Sequence, residues 1–137
     1  MSINRYPRCL LAEDQVLIGM EIEAILHEVG LEVAGPFPTC ADALAWAEHA
    51  TPDVALLDYL LKDGTCTELV RTLLQRDVPV LIYSGIRQDD IPADLRPVTW
   101  IEKPVERAKL IDLLMSITIR EPARAPVQTA GALREPF

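Results

Sequence analysis

Short aliphatic runs of strand length alternate along this chain with segments whose apolar residues recur at helical spacing, and few architectures satisfy that alternation. Runs such as Cys9-Leu10-Leu11-Ala12, Val54-Ala55-Leu56-Leu57 and Val80-Leu81-Ile82-Tyr83 show no polar alternation, so each must be covered on both faces. Strands of that kind belong in a parallel sheet with crossover helices on either side. The 137 residues suffice for one domain with a real core and are too few for two. Half of them are hydrophobic and only 5% aromatic, so the core is expected to be aliphatic.

The elements read in order as follows. Arg8 to Ala12 is a strand, and Gln15 to Val29 a helix with an apolar stripe of Val16, Met20, Ile25, Leu26 and Val29, stopped by Gly30. A short strand, Glu32 to Ala34, runs into Gly35-Pro36. Thr39 with Asp42 resembles a capping box for a helix ending near His49, and Asp53 to Leu57 is the next strand. Asp63-Gly64 is a turn dipeptide, and Thr65 to Glu68 a second capping box opening a helix to about Arg76. Val80 to Tyr83 is a strand broken by Ser84-Gly85. From Ile86 to Pro97 two prolines, Pro92 and Pro97, permit only a short or irregular helix. Val98 to Glu102 is the last strand and Glu106 to Ile119 the last helix. The expected organisation is a lead over 1–7, one doubly wound α/β domain over 8–119, and a proline-rich tail over 120–137 without period, read as disordered.

A net charge of -8 disfavours nucleic acid or an anionic membrane as partner. No apolar run approaches the length of a membrane span, and the first residues lack the apolar stretch of a signal peptide, so a soluble cytoplasmic protein is expected. Cys9, Cys40 and Cys66 are an odd number without a C-x-x-C pair, which argues against a disulfide framework or a zinc site. They read as small buried or half-buried thiols. His27 and His49 read as partly exposed helix residues with no ligand or nucleophile beside them.

Charge collects at one end of the strands. Glu13-Asp14 follows the first, Asp58 the third, Ser84 the fourth and Lys103 the fifth, and in a parallel sheet all of these carboxyl ends share one edge. Three carboxylates brought together repel unless positive charge sits among them. A hard divalent cation such as Mg²⁺ suits oxygen ligands of this kind, Lys103 adds a point charge, and Ser84 a hydroxyl. Such a set can accept a phosphoryl group, the carboxylate acting as nucleophile and the cations neutralising transferred charge.

These motifs resemble the receiver domain of two-component response regulators: LLAEDQ after the first strand, VALLDYLLKDG after the third, LIYSG after the fourth and WIEKP after the fifth. The resemblance spans about residues 8 to 119. It implies a flavodoxin-like sheet of order 2-1-3-4-5 with helices on both faces, the fourth helix being short or irregular here, as in a subset of single-domain receivers. Asp58 is then the phosphoacceptor, Asp14 a direct Mg²⁺ ligand, Glu13 a ligand largely through water, and Leu60 a ligand by its carbonyl. Ser84 matches the switch hydroxyl and Lys103 its ion-pairing partner, with a cis bond before Pro104. Trp100 stands at the switch aromatic, where the family more often has Tyr or Phe; a fixed plug on the sheet edge is the alternative for it.

The resemblance implies a phosphoacceptor, with at most self-phosphorylation and slow autodephosphorylation, fed by a sensor histidine kinase or histidine phosphotransfer protein. With no output domain expected after the last helix, its output is binding to an unknown downstream protein, or it is a phosphate shuttle or sink. Two alternatives stand beside this. An Mg²⁺-dependent aspartyl-phosphate hydrolase would need an acid two residues after Asp58, where Leu60 stands. A degenerate receiver acting as an unphosphorylated scaffold would not need the full set of site residues.

Overall fold

A computed structural model describes residues 6–118. The expected tail over 120–137 lies outside them, as does most of the lead. The elements are β1 (Arg8–Ala12), α1 (Val16–Glu28), β2 (Glu32–Phe37), α2 (Cys40–Ala47), β3 (Val54–Asp58), α3 (Thr67–Gln75), β4 (Val80–Ser84), β5 (Thr99–Glu102) and α4 (Arg107–Thr118). A two-residue antiparallel ladder, Leu60–Leu61 with Gly64–Thr65, lies between β3 and α3. The sheet has the order β2-β1-β3-β4-β5, the order the resemblance implies, and every pair is parallel, as the unbroken apolar runs lead one to expect.

Parallel pairing forces alternate side chains of each apolar run to opposite faces, and both faces are filled. Leu10, Ala55, Leu57, Val80 and Ile82 pack under α2 and α3, whereas Cys9, Leu11, Leu56, Leu81 and Tyr83 pack under α1 and α4. A fully buried leucine here contributes about 1.5–3 kcal/mol. Leu56→Ala, emptying the centre of β3, is expected to cost about 2–5 kcal/mol. The chain leaves β1 for β2 on one side and β3 on the other, so strand order reverses between β1 and β3. The crevice at their carboxyl ends is where such a sheet binds ligands.

Three local expectations change. The buried stripe of α1 is Gly19, Ile22, Ile25 and Leu26, while Val16 and Met20 are 73% and 58% exposed. Gly19 favours this face: a Cβ there would stand 3.1 Å from the Pro36 ring, a tight contact that glycine avoids as α1 approaches β2. Strand β2 does not stop at Ala34 but continues through Gly35-Pro36 to Phe37, with a register shift opposite Leu10–Ala12. Proline is tolerated because β2 is an edge strand, and Gly35, at φ +116°, sits where a Cβ would lie 2.3 Å from the Leu11 carbonyl. Finally, α3 has Cys66 at its N-cap with no side-chain cap; the Thr65 hydroxyl instead lies 3.2 Å from that of Thr67. At α2 the expected cap is made, Thr39 Oγ1 accepting from Asp42 N at 3.0 Å.

Between β4 and β5 no α-helix forms. Two 3₁₀ turns, Gln88–Asp90 and Ala93–Leu95, take its place, with Ile91 and Leu95 buried against the α3 side of the core. Arg71 of α3 holds this segment by a two-pronged bond to Asp94, at 2.8 and 3.0 Å.

Candidate functional site

Asp58 is the last residue of β3, and its burial follows from its place: it is only 5% exposed although charged. Its Oδ2 accepts from Lys103 Nζ at 2.8 Å, and its Oδ1 from Leu60 N at 3.3 Å. Glu13, just past β1, is buried as well. Its Oε2 accepts from Gln15 N at 2.9 Å, while its Oε1 accepts the Tyr83 hydroxyl and lies 3.6 Å from Lys103 Nζ. Asp14 is half-buried, and Glu13, Asp14 and Asp58 each offer an oxygen within 4.8 Å of the other two. The sheet thus brings together every charged strand end that the sequence singled out.

Electrostatics follow from that crowding. Burial raises the Asp58 pKa above its ordinary value; the Lys103 hydrogen bond and charge offset this in part, and the Glu13 charge adds to it. For Lys103, burial opposes the charged form, but the hydrogen bond and charge of Asp58, with Glu13 behind them, carry its pKa above the ordinary lysine value. Its ammonium also stands 5.0 Å over the Tyr83 ring. The structure gathers more negative than positive charge around one crevice.

Ser84 ends β4 fully buried, and its Oγ accepts from Ile86 N at 3.2 Å, which ties down the start of the following loop. Lys103 N donates to the Ser84 carbonyl at 2.9 Å, aligning the two strand ends. The Lys103–Pro104 bond is cis. Leu60 is 49% exposed beside Asp58. Trp100 turns its ring toward the core, with its centroid 5.6 Å from that of Tyr59, and its Nε1 is buried with no hydrogen-bond partner among the described residues.

Three contributors escape a reading of the sequence. Tyr83 looks like the end of an apolar run; register pairs it with Asp58, and strand alternation sends its ring to the α1 face, where Glu13 waits. Asp63 looks like a turn residue, yet its carboxylate accepts from Cys40 N at 2.7 Å and Ala41 N at 3.0 Å, fastening the loop after β3 to the start of α2. Cys40 and Cys66, 26 residues apart, have their sulfurs in contact. His27 and His49 are exposed and stand apart from the site.

The response regulator receiver domain, as a family, matches residues 9–115 of this chain. The transcriptional regulatory protein PdtaR of Mycobacterium tuberculosis is 28% identical over 111 residues, covering 76% of this chain and 53% of its own; the chain thus spans about half the length of that relative. Among solved structures, SdrG from Sphingomonas melonis Fr1 is 28% identical with a TM-score of 0.69, covering 82% of this chain and 96% of that one. The receiver domain of a sensor histidine kinase from Pseudomonas aeruginosa PAO1, determined with a magnesium ion in its active-site cleft, shares the fold at 24% identity and a TM-score of 0.70, covering 83% and 98%. With its fold and site on the same footing, the chain belongs to the response regulator receiver domain family of two-component systems.

Receiver domains bind Mg²⁺ in an acidic pocket, and the donor set here fits that ion. Its oxygens are hard, they converge, and Asp14 is only half-buried beside the two buried carboxylates. Among the described residues no helix is long and apolar enough to cross a membrane.

Proposed function

We propose that Asp58 accepts a phosphoryl group from a phosphohistidine on a sensor kinase or a phosphotransfer protein. The observation that carries this is the placement of one buried carboxylate between an ammonium at 2.8 Å and two further carboxylates, at the open edge of the sheet. Lys103 holds Oδ2, which leaves Oδ1, engaged only by the longer bond from Leu60 N, to attack phosphorus. The phosphorus–nitrogen bond of the donor breaks as the acyl phosphate forms. Lys103 then pairs with a phosphoryl oxygen, and Ser84 Oγ turns from Ile86 N to donate to another.

Asp14, Asp58 and the Leu60 carbonyl would hold Mg²⁺ directly. Glu13 would act through water, because Tyr83 and Gln15 already engage both its oxygens. When bound, the ion neutralises negative charge on the phosphoryl oxygens. Val16, Leu17 and Met20, exposed on the first turns of α1 beside Asp14, give a phosphodonor protein an apolar surface to rest on. Residues 8–119 form the working unit. Its output is a change of protein partner or onward passage of phosphate, and not hydrolysis: the place for an acid two residues after Asp58 holds the apolar Leu60.

The test is intact-mass analysis after incubation with acetyl phosphate and Mg²⁺. The unaltered protein gains one phosphoryl group and Asp58→Ala gains none. A phosphoryl group on Asp58→Ala would sink the assignment.

A further inference from the structure

Cys66 closes the loop that follows Asp58, and Cys40 opens α2. Their Sγ atoms lie 3.0 Å apart, nearer than unbonded sulfurs ordinarily sit, and both cysteines are free. Each thiol has a backbone carbonyl to donate to, Cys40 that of Thr65 at 3.4 Å and Cys66 that of Asp58 at 3.3 Å, so no hydrogen need lie between the sulfurs. Asp63 holds the same two segments together through Cys40 N and Ala41 N. Plain packing of small thiols explains the burial of Cys66 but not the approach of a second sulfur to it.

We propose that Cys40 and Cys66 are a redox pair that closes to a disulfide under peroxide, clamping the loop behind Asp58 to the N-terminus of α2. A disulfide needs about 2.05 Å between sulfurs, so the gap closes by roughly 1 Å. Cys40, half-buried, is the sulfur that peroxide reaches; Cys66 lies fully buried behind it. The Cys40 thiolate attacks one peroxide oxygen, the O–O bond breaks, and the other oxygen leaves as water after taking up a proton. The resulting sulfenic acid is attacked at sulfur by Cys66, forming the S–S bond and releasing a second water. Two thiols lose two electrons and two protons, and one hydrogen peroxide becomes two waters. Cys9, fully buried in β1, packs on the opposite face of the sheet from Cys66 and stays out of the reaction.

The consequence for the site rests on the phosphoacceptor reading above. Closure removes the S–H that Cys66 gives the Asp58 carbonyl and draws residue 66 toward α2. The loop carrying Leu60 is then held at both ends and adjusts less readily to the incoming metal and phosphoryl group. The oxidised protein therefore accepts phosphate several-fold more slowly.

The experiment treats the full chain, and its Cys9→Ser and Cys40→Ser variants, with graded hydrogen peroxide, followed by intact-mass and non-reducing peptide analysis. Expected is a loss of about 2 Da with a Cys40–Cys66 peptide pair, reversed by dithiothreitol, in the unaltered chain and Cys9→Ser but not in Cys40→Ser. Serine keeps a donor for the Thr65 carbonyl, so that variant retains the fold. Sulfinic or sulfonic acid on Cys40 without linkage, or linkage through Cys9, overturns the pair. Acetyl phosphate uptake is then compared between oxidised and reduced protein: equal rates overturn the clamp, and a several-fold slowing relieved by dithiothreitol supports it. Absence of uptake in both forms refutes the phosphoacceptor reading, while the mass result decides the disulfide independently.

Discussion

Tyr83 donates its phenolic hydrogen to Glu13 across the gap between β4 and the end of β1, so the buried carboxylate clustered with Asp58 carries a partner on each oxygen. Burial and the neighbouring Glu13 charge both raise the Tyr83 pKa, which keeps the phenol protonated and donating throughout the physiological range. Glu13 is thereby fixed in position, with both carboxylate oxygens already engaged.

Tyr83→Phe removes that donor while keeping the ring. The carboxylate is left with Gln15 N and the more distant Lys103, and the expected loss is about 1–3 kcal/mol in urea unfolding with EDTA present. Added Mg²⁺ should restore part of it, because the freed oxygen can take a metal-bound water. A loss identical with and without Mg²⁺ would show that the phenol matters to packing alone.

Asp58→Asn should stabilise the metal-free fold by about 0.5–2 kcal/mol, since a site that crowds charge is not at its stability optimum. The sign follows from linkage. A folded-state pKa raised above the ordinary 3.8 means the proton stabilises the fold; that contribution is complete below the unfolded value and disappears as pH rises through the folded one. The advantage of the asparagine variant must therefore widen as pH rises through that window. Thermal unfolding in EDTA across acid to neutral pH checks it, and an advantage that shrinks with rising pH contradicts it.

Asp63 has the opposite sign. The N–H groups of Cys40 and Ala41 hold its carboxyl below the usual carboxylate range, so its contribution is present above the unfolded value and lost as pH falls through the folded one. Asp63→Ala should lower Tm by a few degrees at neutral pH, and the two melting curves should converge as pH drops below the ordinary 3.8. A gap that persists in acid would locate the effect in the loop backbone instead.

The strands were legible because residues buried on both faces leave unbroken apolar runs, and the charged strand ends because each stops such a run. Pairings that depend on register or on how a helix seats were not. Tyr83 meets Glu13 across 70 residues, through two strand neighbours, and no local pattern marks it. The α1 stripe was misplaced at Val16 and Met20 because periodicity gives a face but not its neighbour; Gly19 against Pro36 favours the rotation seen. Leu60 drew notice for its carbonyl and for lacking an acid, yet its N–H also holds Asp58 Oδ1.

Trp100 carries a buried N–H without a partner among the described residues, an omission that costs about 1–3 kcal/mol. Trp100→Phe gives up indole area but removes the orphan donor and keeps a ring against Tyr59. The net change is expected within about 1 kcal/mol, against about 3–5 kcal/mol for Trp100→Ala. Chemical denaturation of both variants checks it; a phenylalanine variant as unstable as the alanine one would mean the indole packs too closely to be replaced.

Ser84 links the site to the segment that replaces a helix. Its Oγ holds Ile86 N in the unmodified protein, and two prolines and two 3₁₀ turns leave the chain beyond it with few backbone bonds of its own. If Ser84 turns to a phosphoryl oxygen, Ile86 N is released and the loop from Gly85 to Pro97 shifts between two arrangements. The phosphoryl mimic beryllofluoride with Mg²⁺ should therefore change amide chemical shifts throughout 85–97. In Ser84→Ala the mimic should still bind at Asp58, seen as shifts in residues 58–60, but the response in 85–97 should fall sharply. Equal responses in both proteins would assign the coupling to Lys103, whose N–H reaches the same strand end through the Ser84 carbonyl.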